Sequence, residues 1–374
     1  MIAPGHDELD HRVLRSLKAW KSAGRDVVAY FEDSRVSSDF IVDDSLKRYK
    51  PIKLSALFVF NKSKVDSELL EDIEQSGLVY IHDSGLYGTF LVRFINHFYP
   101  HLEVVLDYHD LIDFEIIHHL SKLITFSPMV KLQYNFVKPL IESLIISRLN
   151  IKAVVGISDL QVNLFLNKAG DLGVEKYSVP NTRVKIDREI VFTESTECNL
   201  VWIGNIGSNR SIEKLFLYQK ELASIMPGCD VGVEFVGKVY GKFDVTDYQA
   251  TFKGAYRNDE HVIDLLSSDK SIGVFFGWED LEGTRINELA SPNKVFTFLN
   301  VGLPFLIPDC LSSLIELLKV PDCFVFSSES EFVDKAVKIY EDYPLYVSKV
   351  KELKNRGVWD EDVEKDLVGF YRCL

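Results

Sequence analysis

Apolar and polar positions alternate along this chain in two rhythms. Over residues 10–23, Val13, Leu14, Leu17 and Trp20 recur at three- and four-residue spacing, which predicts an amphipathic helix closed by Gly24. Short apolar runs of strand character lie at 26–31, 56–60, 78–81, 103–106 and 153–157, with helical stretches between them, notably 88–97. The strand before the first helix is expected to be no more than Ile2 and Ala3. After residue 198 the rhythm starts again, with strands at 199–203, 231–236, 250–254, 271–276 and 305–307. Strands alternating with helices imply parallel sheets covered by helices, an α/β fold. A length of 374 residues leaves room for two such domains, each with its own core.

The most complete unit is Ser291-Pro292-Asn293-Lys294-Val295-Phe296-Thr297-Phe298-Leu299-Asn300-Val301-Gly302-Leu303-Pro304. Ser291 suits an N-cap, Pro292 a first helical residue and Gly302 the left-handed position beyond the helix, which Pro304 cannot continue. Apolar runs on either side make it a βαβ crossover. Asn293, Thr297 and Asn300, at i, i+4 and i+7, share one stripe that is expected to face something wet. First-turn amides together with Lys294 would form an anion site, with phosphate the obvious occupant; a plain solvated face is the alternative.

Other candidate chemistry sits at strand ends, where open α/β sheets gather their ligands. Two strands end in histidine–acid pairs, His82-Asp83 and His109-Asp110. After 199–203 comes a glycine turn containing Gly204, Asn205 and Gly207, with Arg210 beyond it, a geometry that lets backbone amides approach phosphate. At the chain start only Gly5 is present, so the GxGxxG dinucleotide fingerprint is absent. Glu32 and Asp33 are then plain strand-end acids, and a dehydrogenase is excluded.

Composition narrows the partners. A net charge of −14 argues against a protein whose main task is gripping nucleic acid. Five scattered cysteines, none in CxxC spacing, suggest neither a disulfide framework nor a zinc site, and fit a reducing cytoplasm. No apolar run approaches the ~18 residues that span a bilayer. Residues 121–152 are apolar with five cations against the single acid Glu142, so they could rest on an anionic membrane surface or simply pack on a sheet.

The 291–304 run resembles the "Pro-Asn-Lys, Phe-Glu-Tyr, Gly-Leu-Pro" signature of sugar-nucleotide-dependent glycosyltransferases, most closely the retaining enzymes of glycosyltransferase family 4. The resemblance extends loosely from about residue 10 to 374. It implies the GT-B type of α/β fold, two Rossmann-like doubly wound domains facing a central cleft. Residues 1–185 would form the acceptor side and 186–354 the nucleotide-sugar domain, with 355–374 a helix crossing back. Donor contacts would fall to Gly204, Asn205, Gly207, Arg210, Gly237, Tyr256, Asn293, Lys294 and Thr297. Tyr256 could stack on a base, and Thr297 stands where the family has a ribose-gripping Glu; Glu282 or Glu288 could replace that carboxylate. His82 would lie beside the transferred sugar, with His109 and Asp110 as further catalytic or acceptor-contacting groups, and His6, Asp7 and Arg12 on the acceptor side. A UDP- or GDP-sugar would be the donor substrate and a glycan or lipid-linked molecule the acceptor, without resident cofactor or metal. A sugar-nucleotide epimerase or phosphorylase on the same fold, or a non-catalytic nucleotide-sugar-binding subunit, remain alternatives.

Overall fold

The computed structural model describes residues 1–4, 10–34, 36, 45–53, 56–57, 59–83, 86–108, 149–169, 173–192, 197–204, 206, 212–238, 250–266, 269–276, 286–289 and 291–374. The chain divides into two compact units, Met1–Pro180 with Glu361–Leu374, and Asn181–Asp360.

The first unit carries β1 (Ile2–Ala3), α1 (His11–Ser22), β2 (Ala29–Glu32), β3 (Leu46–Tyr49), α2 (Ser67–Gln75), β4 (Leu78–Asp83), α3 (Leu86–Phe98), β5 (Glu103–Tyr108), β6 (Ala153–Gly156), α4 (Asp159–Ala169) and β7 (Glu175–Ser178). Its seven strands run in the order β3-β2-β1-β4-β5-β6-β7, all parallel. Short as it is, β1 pairs with both β2 and β4 and so occupies the place where strand order reverses. α1 begins as its pattern predicts: the Asp10 side chain accepts from the amides of Arg12 and Val13, and the helix buries Val13, Leu17 and Trp20.

Residues 56–60, expected as a strand, contribute none among the described residues: Ala56 and Leu57 are helical and buried in the core. The third strand is Leu46–Tyr49 instead, an edge strand whose residues are mostly half-buried. Its Leu-Lys-Arg-Tyr sequence carries no apolar run, so hydrophobic periodicity passes over it.

The second unit contains β8 (Glu197–Ile203), α5 (Ile212–Ile225), β9 (Asp230–Val236), β10 (Ala250–Gly254), α6 (Asp259–Leu265), β11 (Lys270–Val274), α7 (Asn293–Val301), β12 (Phe305–Pro308), α8 (Ser312–Leu318), β13 (Val325–Phe326), α9 (Glu329–Glu341) and α10 (Tyr343–Arg356). Six parallel strands run β10-β9-β8-β11-β12-β13, so the order reverses between β8 and β11. Trp202, Phe275, Phe296 and Phe298 are among the largest side chains buried completely in its core. The last helix, α11 (Asp360–Cys373), supplies Tyr371 to the first unit, where its ring stacks on Trp20 at 3.9 Å between centroids. Among the described residues no helix is long and apolar enough to cross a membrane.

Candidate functional site

In a parallel sheet, the crevice for a ligand opens at the carboxyl ends of the two strands that flank the reversal of strand order. In the second unit those strands are β8 and β11. β8 runs into Gly204, whose φ is +108°, and the Gly204 amide donates to Val236 O at 2.8 Å. Gly237, after β9, has φ +155° and donates to Gly254 O at 2.8 Å. A Cβ on Gly237 would lie 1.9 Å from Gly204 O, so backbone meets backbone where any side chain would collide.

α7 starts beside this turn. Pro292, not Ser291, holds the N-cap position, and no side chain caps the helix. Its fixed φ suits the extended conformation found there, −68°, and its ring offers the first turn no side-chain oxygen, while the Val295 amide donates to Pro292 O at 3.1 Å. At the far end Gly302 adopts φ +80°, the left-handed stop that the sequence predicts. Lys294, half-buried in the first turn, reaches back to β8: its Nζ lies 3.7 Å from the centroid of the Trp202 ring and 4.7 Å from that of Phe275. A Cβ on Gly204 would stand 3.8 Å from Lys294 Cε. The glycine turn, the helix start and the ammonium therefore converge.

The polar stripe of α7 does not face water as expected. Asn293 is exposed, but Thr297 and Asn300 are completely buried. Thr297 Oγ1 donates to Asp259 Oδ1 at 3.0 Å, and Asn300 Nδ2 donates to Asp259 Oδ2 at 2.8 Å and to Val184 O at 2.7 Å. Asn300 Oδ1 accepts from the Ile186 amide at 2.9 Å, and its backbone carbonyl accepts from Lys354 Nζ at 2.7 Å. Burial holds the Lys354 ammonium below its ordinary pKa, partly opposed by Glu189. A buried amide or hydroxyl is costly unless hydrogen-bonded, and every group in this set has a partner.

Asp259, in the first turn of α6, is thus the carboxylate that the fold brings to position 297. Sequence reading passes over it because an acid after Asn258 reads as helix-start chemistry, and Asn258 is indeed the N-cap of α6. Of the alternatives, Glu282 lies outside the described residues and Glu288 belongs to a single turn, Ile286–Leu289. Tyr256 lies three residues before Asp259; burial pushes its phenol up, and the Arg183 side chain on its hydroxyl opposes that.

In the first unit, His82 and Asp107 are register partners across β4 and β5. His82 has no exposed surface, and its Nδ1 lies 2.8 Å from Asp107 Oδ2. Arg12 grips the same carboxylate with two nitrogens, at 2.7 and 3.3 Å, and donates to Val179 O at 2.7 Å. Tyr80 OH donates to Asp107 Oδ2 at 2.7 Å, and Tyr371 OH donates to Tyr80 OH at 3.1 Å. Burial, reinforced by the Asp107 charge, raises the Tyr80 phenol well above its ordinary range. Arg12, expected to face an acceptor, is an interior ion-pair residue, because its guanidinium answers a carboxylate that is 1% exposed. His82, expected beside a sugar, belongs to the same interior network.

His6, Asp7, His109, Asp110, Asn205, Gly207, Arg210 and the stretch 121–148 lie outside the described residues. Of the basic segment, Lys152 is described, paired with Glu103 at 2.6 Å.

No protein-family model matches this sequence, and no curated protein matches it either. Solved structures do. The lipopolysaccharide outer core galactosyltransferase WaaB, in its apo form, is similar at a TM-score of 0.61 and 12% identity, covering 99% of both chains. HepE of Anabaena, in complex with UDP and glucose, is similar at a TM-score of 0.59 and 11% identity over the whole of both chains. An alpha-glucosyltransferase in complex with UDP gives a TM-score of 0.53 at 10% identity, covering 99% of both. Identities this low establish the fold alone: two Rossmann-like units of the GT-B glycosyltransferase type.

Proposed function

We propose that this chain is a glycosyltransferase that takes a sugar from a UDP- or GDP-sugar and passes it to a glycan or lipid-linked acceptor, with the second unit holding the donor. The observation that carries the reading is the convergence of Lys294, the uncapped start of α7 and the Gly204 turn at the reversal point of the sheet. Helix-terminal amides and an ammonium are the groups that bind a diphosphate and stabilise it as it departs, and they supply that stabilisation electrostatically. UDP in the similar HepE and alpha-glucosyltransferase structures is in keeping with such a ligand.

Asp259 takes the part that a glutamate at position 297 plays in the family that this sequence resembles. Its carboxylate is already oriented by Thr297 and Asn300, and carboxylate lone pairs beyond those two bonds suit ribose hydroxyls. Tyr256 packs the nucleoside. In the reaction the bond from the anomeric carbon to the phosphate oxygen breaks, and a bond to the acceptor oxygen forms on the same face. The acceptor's proton passes to the departing diphosphate. Retention follows the resemblance to family 4, and the acceptor would be presented by the first unit through His6, Asp7, His109 and Asp110.

A second reading has one observation in its favour: His82 and Arg12 are committed inside the first unit, which suits a nucleotide-sugar-binding subunit without turnover. Incubation with a panel of UDP- and GDP-sugars and mixed glycan acceptors separates the readings. Release of nucleoside diphosphate with a retained anomeric configuration in the product supports transfer. Donor binding without turnover supports the subunit, and an altered donor with no adduct supports an epimerase.

A further inference from the structure

We propose that Trp202 and Phe275 form an aromatic seat that positions the Lys294 ammonium for a diphosphate. The inference rests on the donor reading above and adds residues that neither motif nor resemblance singles out. Trp202 is the penultimate residue of β8 and Phe275 directly follows β11, so the two rings stand at the ends of the strands that flank the reversal of sheet order. Both are completely buried, and their centroids are 6.4 Å apart at 46°. The core therefore fixes the ring faces, and Lys294 Nζ lies 3.7 Å from one centroid and 4.7 Å from the other.

A ring face attracts an ammonium through its quadrupole and does not itself cancel the charge. An ammonium has three N–H donors. A contact with ring faces uses at most one of them, so the seat itself does not compete with a phosphate for the others. Lysine also loses more rotamer freedom on ordering than most side chains. The rings impose that loss before the ligand arrives, and the ammonium is held next to the Gly204 turn, where a Cβ would be 3.9 Å from Nζ.

The test combines calorimetry and emission spectroscopy on the full chain. Pyrophosphate, UDP and GDP binding is measured for wild type, Trp202→Phe, Trp202→Leu and Phe275→Leu, with uridine and guanosine as phosphate-free controls. Trp202→Leu should weaken pyrophosphate and nucleoside diphosphate binding about tenfold, the size of a partly desolvated cation–π contact. Trp202→Phe should restore most of it, and nucleoside binding should not move. A merely structural role would lower all ligands alike. Should Trp202→Leu fail to fold, Phe275→Leu carries the same expectation at about threefold, by the same scale applied to the longer contact.

Independently of ligand, subtracting the Trp202→Phe emission spectrum from that of wild type isolates Trp202, and Lys294→Met should change that difference by removing a charge from the ring face. Unchanged Trp202 emission in Lys294→Met overturns the seat. So does wild-type pyrophosphate binding that both leucine variants leave intact. Wild type that binds none of the phosphates overturns the donor reading instead, and with it the purpose given to the seat, even where the emission changes.

Discussion

Asp107 in the first unit and Asp259 in the second are both buried carboxylates, and the two are compensated differently. Asp107 of the first unit is met by a full cation, Arg12, in a two-nitrogen pair, with Tyr80 and His82 around it. Asp259 of the second unit is met by neutral donors, Thr297 and Asn300. A carboxylate paired with a guanidinium is an interior bolt whose electrostatics are closed. One held by a hydroxyl and an amide is met by hydrogen bonds from neutral groups, with no cation among those donors. Lys294, also in the second unit, lies against ring faces.

This comparison predicts that the two carboxylates fail in different ways. The largest effect belongs to the first unit. Arg12→Ala would strand Asp107 in the interior and should cost roughly 3–5 kcal/mol in urea unfolding, while the double change Arg12→Met with Asp107→Leu should recover much of it. The affinity of the folded fraction for nucleoside diphosphate should not change. Comparable stability of the single and double variants would mean that the pair is not a closed interior unit.

Asp259→Asn comes next. Its amide nitrogen can only donate, so of Thr297 and Asn300 one buried donor loses its acceptor at about 1–3 kcal/mol. Unlike Arg12→Ala, it should also weaken nucleoside diphosphate binding. A loss of stability with donor affinity intact would reduce Asp259 to a tie between α6 and α7. The smallest effect lies on the surface, outside both networks. The Lys335 ammonium and the Ser327 hydroxyl and amide hold the Glu331 carboxyl down to about 2 from its ordinary 4.5. A folded-state pKa that is depressed contributes stability that is complete above pH 4.5 and is lost as pH falls toward 2. Glu331→Gln should therefore remove a slight acid-side slope from the melting temperature and leave the neutral value almost unchanged.

What the sequence could and could not convey follows from the range of each interaction. α7 was legible almost to the residue because its proline start and Gly302 stop act locally. Parallel sheets were legible from the alternation of elements. β3 was not, since an edge strand needs no apolar run, and a two-residue β1 was recognisable only by its place before α1. The stripe of Asn293, Thr297 and Asn300 was correct as a periodicity and wrong as to environment. Its partner, Asp259, is 38 residues from Thr297, and no helical spacing points that far. The partner of Arg12 and His82 was hidden for the same reason: both meet Asp107, which is 95 residues from Arg12 and stands on the strand beside that of His82. Trp202 and Phe275 read as core, which they are, and only the fold shows the ammonium lying over them.

The central claim, that the start of α7 binds the donor diphosphate, is tested most directly by calorimetry of UDP and GDP against wild type, Lys294→Ala and Thr297→Ala. Loss of one hydrogen bond to a charged group predicts a deficit of about 1.5–3 kcal/mol for Lys294→Ala, or roughly 10- to 150-fold in affinity. Thr297→Ala, which removes only a buried neutral donor from Asp259, should cost ~1 kcal/mol. Equal and negligible losses in the two variants, with wild-type binding intact, would contradict the account.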